Sequence, residues 1–152
     1  MKPEELKRFA LLSEFGEEDR EHLVELLDAE SFAEGSTLFR EGDEADALYL
    51  LASGSVRVHS ETAGRLGLLC EGANLGAISL IVIGKREATA VAESDARLGV
   101  LTRAGFLRLA DDHPRTACRL AEAIVVDLAG TLRGHLPHLK QQFTSDDVVL
   151  SG

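Results

Sequence analysis

Ala47-Leu-Tyr-Leu-Leu-Ala-Ser-Gly-Ser-Val-Arg-Val-His59 is the stretch that sets the fold. Its first six residues form an unbroken apolar run, the pattern of a buried strand. Ser53-Gly54 then turns the chain, and Ser55–His59 alternates at period 2, as a half-buried partner strand does. The same texture extends outward in both directions. Ser36-Thr-Leu-Phe-Arg40 reads as a short strand between turns at Phe32–Gly35 and Glu41–Glu44. Downstream, a turn over Ser60–Gly64 leads into Arg65–Cys70, and two more strand-like runs follow at Ala88–Ala92 and Arg97–Leu101. Short strands spaced by glycine turns predict an antiparallel sandwich or jelly-roll barrel rather than a parallel sheet.

Helical spacing brackets this β region. Leu6, Phe9, Ala10 and Leu12 recur as on one helix face until Phe15-Gly16 breaks the run. Glu17, Glu18 and Asp19 place negative charge in the first turn of a second helix, where the macrodipole favours it. That helix is expected to bury Leu23, Leu26 and Leu27. After Thr102 the strand texture stops. Ala104–Ala110 reads as a short helix, and Asp111 or Asp112 is expected to cap a longer one starting at Pro114. The longer helix is expected to end near Gly134 and carries Ala117, Leu120, Ile124, Leu128 and Leu132 on one stripe, widened by Ala121 and Val125. So broad an apolar face asks for a partner helix as well as the barrel.

Charge and composition exclude several functions. The 152 residues are 45% hydrophobic and 28% charged, which fits one globular domain with an ordinary core. A net charge of −10 repels nucleic acid and anionic membranes, so neither is an expected partner. No run has the ~18 apolar residues of a membrane span. The amino-terminal residues do not resemble a secretory signal. Cys70 and Cys118 are too few and too far apart for a zinc or iron–sulfur frame, and read as reduced thiols of a cytoplasmic protein.

The candidate site is Gly72-Ala-Asn-Leu-Gly-Ala-Ile-Ser-Leu80, followed by Lys85-Arg-Glu-Ala-Thr89. Two glycines four apart set up a tight turn, Ile78 and Leu80 anchor it, and Arg86 arrives just before a strand. Bare N–H groups and a forked cation suit a phosphate.

With the elements in the order helices, barrel, helices, the chain resembles the cyclic nucleotide-binding domain family over roughly residues 5–135. The residues that carry the resemblance are Phe32–Gly35, Phe39-Arg-Glu-Gly42-Asp, Ala47–Val58, and Gly72 with Gly76. The resemblance implies a double-stranded β-helix, or jelly roll, of α+β class. It divides the chain into helices at 1–29, barrel at 30–102 and helices at 103–135, in one domain over 1–135, with a flexible tail at 136–152. It also implies a phosphate-binding cassette, Gly-Glu-(Leu/Ile)-(Ala/Ser)-Leu followed by Arg-(Ser/Thr)-Ala. In that family the glutamate accepts from the ribose 2′-hydroxyl and the arginine pairs with the cyclic phosphate. Gly76, Ile78, Ser79, Leu80, Arg86 and Ala88 match this cassette. Ala77 stands at the glutamate position and Glu87 at the Ser/Thr position, and both departures fall on ligand-contacting positions. The family's last helix covers the purine, which places Thr131 near the ligand with Arg133 beside it.

A lost charged acceptor removes about 1.5–3 kcal/mol. A carboxylate ~4 Å from a phosphate opposes binding by about 4 kcal/mol at an effective dielectric of 20. Glu87 therefore either turns outward and pairs with Lys85 or Arg86, or neutralises Arg86 within the pocket. The expected function is a non-catalytic regulatory sensor of cAMP, cGMP or another small anion, signalling through its last helix, with no cofactor and no metal. The alternative is a domain that has lost nucleotide binding and serves as a dimerisation or protein-interaction module. A homodimer through the last helix is expected in either case. Metal chemistry of the kind some barrels carry out needs several inward histidines, and His59 is the single one in the strand region. His135 and His138, three apart, lack further ligands nearby. His59 or Cys70 as a haem ligand is a remote alternative.

Overall fold

The computed structural model describes the backbone of residues 1–145 and the side chains through Gly134. Ten strands form the centre: β1 (Asp28–Phe32), β2 (Thr37–Phe39), β3 (Glu44–Ala45), β4 (Ala47–Ser53), β5 (Val56–Ser60), β6 (Gly64–Leu69), β7 (Asn74–Leu75), β8 (Gly84–Lys85), β9 (Thr89–Ala92) and β10 (Ala96–Thr102). One sheet runs β1-β10-β4-β7, the facing sheet β2-β9-β5-β6, and β3 pairs with β8. Every pairing is antiparallel. The predicted jelly-roll barrel is thus the observed architecture.

Strand β4 explains how the barrel and helices share a core. Leu48 and Leu50 point into a cluster with Leu6, Phe9, Leu23, Leu101, Leu109 and Leu120, beneath the helices. Leu51 points the other way, into a barrel cluster with Val56, Leu75, Ala90 and Leu98, against which Tyr49 packs. Period-2 alternation in a strand apolar on both faces serves two layers at once. The β4–β5 turn requires Gly54: its φ is +87°, and a Cβ there would lie 2.2 Å from the Asp95 carbonyl oxygen.

The amino-terminal segment differs in detail from the expectation. Pro3–Arg8 and Ala10–Leu12 are 3-10 turns, and α1 covers Glu17–Val24 only. Leu26 and Leu27 lie beyond it, partly buried. Asp28–Phe32, read as outside the barrel up to residue 29 and then as the approach to a turn, is instead β1. Its residues are exposed but for a half-buried Phe32, so no alternation marks it; pairing with β10 makes it a strand.

Helix α2 spans Arg103–Asp112, with Thr102 Oγ1 accepting from the Gly105 N–H. Asp111 and Asp112 therefore end α2 rather than cap α3, and His113 is the connector, at φ −139° and ψ 72°. Helix α3 runs Pro114–Ser145, eleven residues past the stop read at Gly134. It takes in Gly134 and Pro137, whose intrinsic costs of about 1 and 3 kcal/mol suggest an end. Of the expected tail, 136–145 is thus helical and 146–152 lies outside the described residues, as do the side chains of His135 and His138. Ala117, Leu120 and Ile124 of the predicted stripe are buried, whereas Val125, Leu128 and Leu132 are exposed. No helix among the described residues is long and apolar enough to cross a membrane.

Candidate functional site

Arg86 leaves β8 with its backbone clamped on both sides. Its N–H donates to the Asp43 carbonyl at 2.7 Å, and its own carbonyl accepts from the Gly42 N–H at 2.9 Å. This fixes the side chain inward, where the residue is only 7% exposed. Nη1 donates to Ser79 Oγ at 3.2 Å and Nη2 to the Ala47 carbonyl at 3.0 Å. The guanidinium lies over the Phe39 ring, 4.2 Å from its centroid, with Tyr49 at 5.5 Å. Nε is buried with no hydrogen-bond partner among the described residues. Burial pulls the guanidinium below its ordinary value, opposed by Tyr49, Asp46 and Asp43, yet an arginine stays charged under any ordinary condition. Burial in turn pushes the Tyr49 phenol up, with Arg86 opposing.

The turn that receives Arg86 is the 3-10 segment Ala77–Leu80, entered through Gly76 at φ +73°. A Cβ at Gly76 would sit 2.2 Å from Arg86 Nη1 and 2.8 Å from the Ala47 carbonyl. Glycine is therefore required twice, for the left-handed backbone and for room beside the guanidinium. Ala77 and Ser79 are buried, Ile78 is exposed, and Ala88 is half-buried. Gly76, Ser79 and Arg86 thus lie together.

Glu87 is exposed and makes no ion pair among the described residues, so it neither fills the space before Arg86 nor neutralises it. Glu87 thus points outward, but without the expected pairing to Lys85 or Arg86 among the described residues. Thr131 is exposed on α3, and its hydroxyl donates to the Asp127 carbonyl one turn back at 3.0 Å. Cys70 and Cys118 are free and exposed.

Three contributors escape a reading of the sequence. Phe39 and Tyr49 lie in the motif runs but give no sign there that they face Arg86. Arg103, at the start of α2, donates to carbonyls of Ser79, Ala45 and Val82. Its position after a strand and before a helix is ordinary, and only the fold brings it to the turn. The apolar residues Ile81, Val82 and Ile83 that follow the turn are exposed, Ile83 by 85%. A groove of about 680 Å³ lies elsewhere, between the Ala10–Leu12 turn and α3, and shares no residue with the Arg86 site.

The site is thus a buried arginine at a glycine-entered turn of an antiparallel barrel that a long carboxy-terminal helix follows. The family pattern of the cyclic nucleotide-binding domain matches residues 29–113, and the chain belongs to that family. The chain is 39% identical over 94 residues to the cyclic AMP receptor protein of Thermus thermophilus, covering 59% of this chain and 44% of that one. It is 30% identical over 104 residues to the cAMP-dependent protein kinase regulatory subunit of Candida albicans, covering 68% and 23%. Among solved structures, the catabolite activator protein of Thermus thermophilus superposes with a TM-score of 0.76 at 31% identity, covering 87% of this chain and 62% of that one. The chain therefore spans less than half the length of the curated relatives it matches.

Proposed function

We propose that this domain is a non-catalytic regulatory sensor that takes a cyclic nucleotide or another small anion on Arg86 and signals through α3. One observation carries the reading: Arg86 is buried and stacked on Phe39, and among the described residues its Nε has no hydrogen-bond partner and no carboxylate pairs with it. Burying a cation is costly unless something neutralises it. A phosphate meets that need with a bidentate partner.

Because Glu87 faces solvent, its repulsion of a phosphate falls well below the buried-site figure. What remains is Ala77 in place of a carboxylate, a deficit of about 1.5–3 kcal/mol for a ribose hydroxyl. That is roughly 10- to 150-fold in affinity, which weakens nucleotide binding without abolishing it. A reducing, cytoplasmic setting suits two free exposed thiols. Titration calorimetry with cAMP, cGMP, a cyclic dinucleotide and inorganic phosphate tests the reading. A saturable heat with at least one of them, absent in Arg86→Met, is expected. The same heat in that variant contradicts it.

A second reading is favoured by the middle of α3, from Val125 to Leu132. Val125, Val126, Leu128 and Leu132 are all more than 40% exposed, an apolar face that supports a homodimer or a protein partner. A stable dimer by light scattering, with no response to any of the four compounds, turns the choice toward an interaction module.

A further inference from the structure

We propose that Ser79 is a positioning residue that couples the anion site to the carboxy-terminal helices, its hydroxyl holding Arg86 and its carbonyl holding Arg103. This rests on the reading of Arg86 as an anion receptor. Ser79 is 3% exposed; its contact with Arg86 is buried and those with Arg103 are part-buried. Its Oγ accepts from Arg86 Nη1 at 3.2 Å. Its carbonyl accepts twice from Arg103, from Nε at 3.0 Å and Nη2 at 2.6 Å. Arg103 is the first residue of α2, and α2 leads through the single connector His113 into α3.

The two arginines also share a second support, since Arg86 reaches the Ala47 carbonyl and Arg103 the Ala45 carbonyl. That support is held in sheet ladders, with Ala45 opposite Gly84 and Ala47 opposite Thr102. It cannot shift without breaking strand pairing. The Ala77–Leu80 turn belongs to no sheet, so it is the element free to move between the two arginines. An anion at the site competes with Ser79 Oγ for Arg86 Nη1. Once Nη1 turns to the anion, the turn is released from the barrel side while Arg103 still grips its carbonyl. The displacement then passes to α2, as a shift between two populations of the helices.

A ligand-free double-mutant cycle tests the bridge directly. Arg86→Met and Arg103→Met are combined in the parent and in a Ser79→Ala background, and urea unfolding is measured. The two arginine changes should depart from additivity by at least fivefold in the unfolding constant in the parent, and by less than twofold without the hydroxyl. Additivity in both backgrounds overturns the proposal whether or not any nucleotide binds. Should a combined variant fail to fold, amide exchange decides: the single Ser79→Ala variant should exchange Ala104–Phe106 at least fivefold faster, and an unchanged rate counts against the bridge. With cAMP as probe, spin labels on the native Cys70 and Cys118 report the position of α3 against the barrel. The parent's label distance should shift on saturation. Arg103→Met and Ser79→Ala, each saturated with cAMP, should lack the shift. A shift retained in both variants overturns the proposal. Absence of binding by the parent overturns the anion-sensor reading instead, and the cycle still decides the bridge.

Discussion

Asp19 and Arg86 are both charged and both almost wholly buried, at 5% and 7% exposure, and the fold serves them in opposite ways. Asp19, on α1, is completed by its own chain. Oδ1 accepts from Thr116 Oγ1 at 2.7 Å, and Oδ2 accepts from the Gly16 N–H at 3.1 Å and from Arg119. Burial works against its carboxylate form, but Thr116, Gly16 and Arg119 together hold the carboxyl below its ordinary range. Among the described residues Arg86 has only neutral acceptors and two aromatic faces, and its Nε has no hydrogen-bond partner. A buried charge that is fully partnered ties elements together, here α1 to α3. One with no ion-pair partner among the described residues marks a place where something from outside is expected to bind.

The contrast can be broken at either end. The largest effect should come from Asp19→Ala, which strips α3 of its anchor to α1. Breaking a buried pair costs about 3–5 kcal/mol, and because Arg119 is half-exposed we expect about 2–3 kcal/mol by urea unfolding. A loss under 0.5 kcal/mol would remove Asp19 from the account. Next, Ala77→Glu should sharpen the other end by restoring an acceptor for a ribose hydroxyl. We expect cAMP to bind about 10-fold tighter or more, with no such gain for 2′-deoxy-cAMP. Equal gains for both nucleotides would mean that residue 77 does not face the ribose.

The smallest effect belongs to an ion pair of intermediate exposure. Glu5 Oε1 accepts from Arg97 Nη2 at 2.6 Å, and their side chains are 22% and 43% exposed. The Arg97 hydrogen bond, helped by the Lys2 N–H, holds the Glu5 carboxyl at about 2 against an ordinary 4.5. Its stabilisation is therefore complete above pH 4.5 and is lost as pH falls through about 2. Solvent screening limits it to about 0.5–1 kcal/mol. Glu5→Gln should lower stability by that amount at pH 7 and by progressively less as pH falls through about 2. A difference that does not shrink as pH approaches 2 would assign the effect to packing.

Much of this was readable from residue order, for identifiable reasons. Strands β4 and β5 carry apolar runs and alternation, and Gly76 and Arg86 carry local geometry that only a few residue types can supply. Strand β1 could not be read because Asp28–Phe32 has no buried face of its own and is a strand only through β10. Asp19 looked like a dipole-complementing surface acid beside Glu17 and Glu18, since its partners Thr116 and Arg119 lie far along the chain. The direction taken by Glu87 was a choice between two allowed orientations, which no local pattern decides. Arg103 was invisible for the reason that applies to most residues acting on main-chain carbonyls: the acceptors carry no side-chain signature.

The central claim is that Arg86 awaits an anion and contributes little to the fold. Unfolding of the parent and of Arg86→Met, each with and without cAMP, tests it most directly. The account predicts ligand-free stabilities within about 1 kcal/mol of each other, since an unpaired buried cation is exchanged for apolar volume. At about 100 times its Kd, cAMP should stabilise the parent by about 2.7 kcal/mol and the variant not at all. A ligand-free loss of more than about 2 kcal/mol in Arg86→Met, of the size that breaking a completed buried pair produces, would contradict it. So would equal stabilisation of both proteins by cAMP.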